Sequence, residues 1–118
     1  MKLTTPCIPL GLAWSSPFVR WQGSLADTSS LDLAVTVTRE ALARRDVDPS
    51  VVTRLVMGWT VPQRESFYGA PTLAARLGAT GVSGAMLSQA CATGVATIEA
   101  AAATTTPAVP SAGWVCDP

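Results

Sequence analysis

Between Leu31 and Leu42 apolar and small residues recur three and four positions apart. Leu31, Val35, Thr38 and Leu42 share one helical face, with Ala34 and Ala41 beside them. Ser29-Ser30-Leu31-Asp32 has the hydroxyl-then-acid order of a helix start, and Asp46-Val47-Asp48-Pro49 closes the pattern. The periodicity then changes. Val51 to Val61, with Leu55-Val56-Met57-Gly58-Trp59 at its centre, is a nearly unbroken apolar run, as expected of a strand covered on both faces. A polar loop from Pro62 to Gly69 leads to a short helix over Ala70 to Leu77, which Gly78 stops. Val82 to Gln89 reads as another strand, and Gly94 to about Ala103 as an alanine-rich helix. Ahead of all these, Ile8-Pro9-Leu10-Gly11-Leu12-Ala13 reads as a short buried strand. Trp14 to Asp27 is a loop with Phe18 and Trp21 as packing anchors.

The resulting order, β-α-β-α-β-α, predicts an α/β fold with a largely parallel sheet and helices on its faces. No repeat is visible. From Thr104 to Pro118 prolines and the lone Trp114 show no period, so the segment reads as an irregular tail with no further strand.

Composition narrows the classes of function. The chain has 118 residues, 48% of them hydrophobic and 14% charged, with eight basic and eight acidic side chains. So apolar a chain of this length is expected to pack against more protein. Balanced charge and the lack of a basic stripe exclude a nucleic-acid or anionic-membrane partner. The uncharged stretch between Arg76 and Glu99 is long enough to raise a spanning helix, but its glycines, Ser88 and Gln89 make it small and polar rather than lipid-like. Lys2 and the apolar residues after it have the shape of a signal peptide; Pro6 and Pro9 interrupt it, and a buried strand explains Ile8 to Ala13 equally well. Cys7, Cys91 and Cys116 form neither a CxxC pair nor a metal-ligand spacing, and an odd count argues against a disulfide framework, so a cytoplasmic protein is expected. With no histidine in the chain, Ser-His-Asp and Cys-His catalysis cannot arise from these residues alone.

The candidate chemistry lies in Ser88-Gln89-Ala90-Cys91-Ala92-Thr93-Gly94. A strand there runs into a cysteine at the start of a helix, where unpaired N–H groups and the helix dipole favour an anion. Such a thiol suits nucleophilic acyl transfer; a buried small hydrophobe is the plainer reading of a free cysteine. Thr93 and Gly94 read either as ordinary turn residues or as backbone that approaches an acyl group next to the sulfur. Cys7 and Cys116 read as bystanders. The acidic residues form no pair arranged for general acid–base work.

Four ordered segments resemble the N-terminal portion of a thiolase (acetyl-CoA C-acyltransferase). Ser16-Pro17-Phe18-Val19-Arg20-Trp21-Gln22-Gly23-Ser24-Leu25-Ala26-Asp27 is similar to the family's TPFGRFGGSLAD loop. Leu31 through Arg44 with Val47-Asp48-Pro49 resembles its first helix and GVDP exit, and Val56-Met57-Gly58-Trp59-Thr60 its VIMGNV strand. Ala90-Cys91-Ala92-Thr93-Gly94 resembles the CASG nucleophile turn, with threonine where serine is more usual.

The resemblance implies a thiolase-like half-domain over residues 1–103, followed by a tail over 104–118 that matches nothing in the family. It implies Cys91 as the acyl-accepting nucleophile, with Thr93 and Gly94 as substrate-binding backbone, no metal and no bound cofactor. Coenzyme A thioesters would be the substrates, in thiolytic cleavage or Claisen condensation, and a homo-oligomer, dimer or higher, would be the assembly. The catalytic histidine and second cysteine of the family have no counterparts here, so a truncated or frame-altered product, inactive alone, is expected. The alternatives are a ketosynthase-type condensing enzyme acting on carrier-bound chains, which shares the nucleophile motif, and a non-catalytic remnant.

Overall fold

The computed structural model describes residues 8–64, 66–103 and the backbone of 112–113. Helix α1 spans Ser30–Ala43. Its N-cap, Ser29, has extended backbone, and its Oγ accepts the Asp32 N–H at 3.0 Å, which satisfies one of the donors a helix start leaves open. Gln63 supplies a second acceptor from 33 residues further along the chain. Its Oε1 takes the Ser30 N–H at 3.1 Å and the Ser30 hydroxyl at 2.8 Å. The buried face of α1 is Leu31, Ala34, Val35, Thr38, Ala41 and Leu42, the stripe its spacing predicts.

Asp48 caps a single turn over Pro49–Val51, and strand β1 follows over Arg54–Gly58. Helix α2 covers Gly69–Leu77 and ends at Gly78, whose φ of 84° is the left-handed conformation glycine adopts without steric cost. Strand β2, Ser83–Leu87, pairs in parallel with β1 from Arg54–Ser83 to Gly58–Leu87. Helix α3 is Thr93–Ala103. A two-residue strand β3, Ala112–Gly113, lies parallel to β1 on its other side, giving the order β2-β1-β3.

The central strand sorts the helices. Leu55 and Met57 point into one cluster with Leu31, Ala34 and Val35 of α1 and Ala70, Leu73 and Ala74 of α2. Alternation along the strand places Val56 and Gly58 on the opposite face, where α3 lies. All of Leu55–Gly58 is buried, so β1 is covered on both faces as its apolar run predicts. Long polar side chains tie the outer layer together. Arg76 pairs with Asp32 at 2.7 Å, while Arg39 donates to the Arg76 carbonyl at the end of α2. No helix among the described residues is long and apolar enough to cross a membrane.

Three expectations are corrected. Ile8–Ala13 is not a strand: Gly11 takes φ of 84° and the Leu12 N–H closes a turn onto the Pro9 carbonyl at 3.2 Å. Pro9 has no N–H to give a ladder, and a left-handed residue two positions later breaks extension. Arg45 holds this segment instead, donating to the carbonyls of Gly11 and Ala13 and to Ala41 in α1, with its guanidinium 5.1 Å from the centre of the Trp14 ring. Phe18 and Trp21 are not packing anchors, being 99% and 83% exposed. A strand does follow α3, since the backbone of Ala112–Gly113 pairs with Leu55 and Val56. The other tail residues, with Cys7 and Cys116, lie outside the described residues.

Replacing Ser29 with alanine should lower stability by about 1 kcal/mol in urea denaturation. The hydroxyl of Ser29 and the Arg76 guanidinium hold the Asp32 carboxyl below its ordinary value of 3.8. Between the folded and unfolded values the unfolded chain therefore binds more protons, so this contribution is present above 3.8 and is lost as pH falls through the folded value. Asp32→Asn should flatten the acid limb of a stability–pH curve below that point and leave its shape unchanged near neutrality.

Candidate functional site

Ligands of open parallel sheets bind beyond the carboxyl ends of the strands. Here that edge is formed where Gly58 and Leu87 pair, and the Trp59 N–H extends the ladder to the Leu87 carbonyl at 3.1 Å. From β2 the chain passes through Ser88 and Gln89 into a tight turn over Ala90–Ala92, and α3 begins at the next residue. Ala90 opens the turn at φ of 49°, a conformation disfavoured by about 1–2 kcal/mol for a residue with a Cβ. The Ala92 N–H donates to the Gln89 carbonyl at 3.0 Å, and the Thr93 N–H donates to Ala90. Cys91 is a free, exposed cysteine at the apex.

The expected site residues separate here. Cys91 faces solvent. Thr93 is 4% exposed, and its hydroxyl is committed inside the turn: Oγ1 accepts the Gln89 N–H at 2.8 Å and donates to the Ala90 carbonyl at 2.7 Å. With its own N–H also spent on Ala90, Thr93 offers no donor to an acyl group. Gly94 is half-buried, one residue into α3, and its carbonyl accepts the Thr97 hydroxyl at 2.8 Å.

Gly58 is the residue that sequence reasoning passed over. A Cβ there would overlap the Thr93 γ-methyl and stand 2.9 Å from that of Thr97. The missing side chain lets the first two turns of α3 rest directly on β1. A glycine closing an otherwise apolar strand was the available signal, since glycine in a strand often marks a close approach of neighbouring chain.

Among the described residues no group of three or more His, Cys, Asp or Glu side chains could hold a metal ion. The carboxyl of Asp48 is held below its ordinary range by the Ser50 backbone N–H, at the entrance to β1 and so at the opposite edge of the sheet. A cavity of about 170 Å³ lined by Trp14, Val37, Glu40 and Arg45 lies at that same edge, against the C-terminal end of α1. Ligand pockets usually run to about 300 Å³ or more, and Cys91 is not among the residues that line this one.

Comparison with known proteins adds the following. A family model described as "Thiolase, N-terminal domain" matches residues 12–106. The crystal structure of the priming β-ketosynthase from the R1128 polyketide biosynthetic pathway superposes with a TM-score of 0.57 at 28% identity, over 64% of this chain and 23% of that one. The chain thus spans under a quarter of the ketosynthase's length. No curated protein matches the sequence.

Gly58→Ala should destabilise the fold by about 1–3 kcal/mol, the usual range for overpacking a close contact. The β-branched Thr93 and Thr97 have little rotamer freedom with which to yield. A lowered urea midpoint with an unchanged slope is the expected result.

Proposed function

The chain belongs to the thiolase family through its N-terminal domain, and we propose on that basis that Cys91 is an acyl-accepting nucleophile for coenzyme A thioesters. The family is one of acyltransferase-type enzymes. The observation that carries the reading is the exposed thiol at the apex of the strand-to-helix turn, at the edge of a parallel sheet where such sites sit. The Cys91 sulfur would attack the thioester carbonyl, forming a new S–C bond as the bond to the coenzyme A sulfur breaks. The cysteine proton passes to solvent, and coenzyme A leaves as a thiolate that takes up a proton from solvent.

Thiolytic cleavage or Claisen condensation would follow in the second half-reaction, which needs a group to move protons to and from the incoming thiol or carbon acid. Near neutral pH that group is usually histidine, and these 118 residues contain none. Acylation is therefore the step this chain supports. A second reading, condensation of chains held on a carrier protein, is favoured by the likeness to the β-ketosynthase. The acyl donor separates the two, since the first reading needs acetyl-CoA to acylate Cys91 directly and the second needs a carrier-bound acyl group. The assembled form that the family resemblance implies is a homo-oligomer, in which exposed apolar residues such as Leu10, Phe18, Trp21 and Val95 would be available for contact.

Purified chain incubated with acetyl-CoA should gain one acetyl group on Cys91 by peptide mapping, and Cys91→Ala should gain none. With acetoacetyl-CoA and coenzyme A, release should stop near one equivalent, because losing a proton-transfer group typically removes about 10²–10⁴ in rate. Sustained Cys91-dependent turnover would show that a base has been overlooked. Sedimentation at micromolar concentration should show association; a compact monomer would count against the oligomer.

A further inference from the structure

The hydroxyl of Thr93 does something unusual for a helix start. A capping hydroxyl normally accepts from an N–H further along its own helix. Thr93 is instead the first residue of α3, and both of its side-chain bonds run backward, to the Gln89 N–H and the Ala90 carbonyl. They close a ring of backbone that contains Cys91. The residue before the thiol, Ala90, takes a left-handed φ within this ring, while the γ-methyl of the same side chain sits over Gly58.

We propose that Thr93 is a positioning residue for Cys91: its hydroxyl fixes the direction in which the turn presents the sulfur. This rests on the reading of Cys91 as the acyl acceptor. The two halves of the side chain are separable. Serine keeps the hydroxyl and gives up the methyl. Valine keeps the shape but can neither accept from Gln89 nor donate to Ala90, so the part-buried Gln89 N–H loses this partner. Acyl transfer demands an aligned approach to a carbonyl, so small displacements of the sulfur are costly. Alkylation by a small reagent demands much less.

The test compares the parent chain with Thr93→Val, Thr93→Ser and Thr93→Ala. Each is followed by acetylation of Cys91 from acetyl-CoA, alkylation by iodoacetamide, and hydrogen exchange of the Gln89 amide, with thermal unfolding as the control for fold. Thr93→Val should slow acetylation about tenfold or more while changing alkylation by less than about threefold, and Gln89 should lose its protection. Thr93→Ser should stay within about threefold of the parent in all three. If Thr93→Val does not fold, Thr93→Ala carries the same expectation without the β-branched side chain.

Equal acetylation of the parent and the hydroxyl-free variants overturns the proposal. So does a Thr93→Ser variant as slow as Thr93→Val, or a fall in acetylation matched by an equal fall in alkylation. A parent chain that acetyl-CoA does not acetylate refutes instead the reading of Cys91 as an acceptor from coenzyme A thioesters. In that case Thr93 is judged by Gln89 exchange: protection lost with valine and kept with serine upholds its hold on the turn, and protection unchanged with valine removes it.

Discussion

The missing side chain of Gly58 sets the distance between β1 and α3, and the geometry of the reactive turn depends on that distance. Parallel strands must be joined by crossovers that pack helices on the sheet faces. The face carrying Leu55 and Met57 is filled by ordinary core side chains from α1 and α2. On the other face the helix comes down onto a bare Cα, with two threonine methyls in the space a side chain would take. Any larger residue would press on the start of α3, which only the five residues Ser88 to Ala92 join to β2.

Polar contacts organise the outer layer in a different way. Gln63, from the loop after β1, caps α1, while Arg39, Asp32 and Arg76 join α1 to α2. Each joins a helix end or an exposed charge to a partner more than thirty residues away in the chain, and each lies at the surface, where a single pair contributes little. Their value is geometric: they orient two helices whose apolar faces already bind them to the sheet.

Which parts were legible in the sequence follows from how local their causes are. The buried stripe of α1 could be read from spacing, the end of α2 from Gly78, and the two main strands from apolar runs, because each is specified within a few residues. Ile8–Ala13 could not. Its composition suits a strand, but strand formation needs a partner edge, and Pro9 with Gly11 makes a local turn first. Ala112–Gly113 had no signal at all, since it joins the sheet by backbone pairing over two residues. The site divides along the same line. Cys91 stood out from its setting between a strand and a helix. The work of Thr93 depends on Gly58, thirty-five positions earlier, and on a turn geometry that residue types alone do not reveal.

Ala90 has a further consequence. Glycine would remove the roughly 1–2 kcal/mol of left-handed strain at this position, but it would also enlarge the set of backbone states available to the unfolded chain, a loss of about 0.4–1 kcal/mol. The first effect is the larger, so stability alone favours glycine over alanine, by at most about 1.6 kcal/mol. They differ in stiffness. With alanine, the left-handed region at the threshold of the turn is one small well, occupied here inside the Thr93 ring; with glycine it would be a broad plain. The strained residue makes the loop before the thiol behave as a hinge with a single stop.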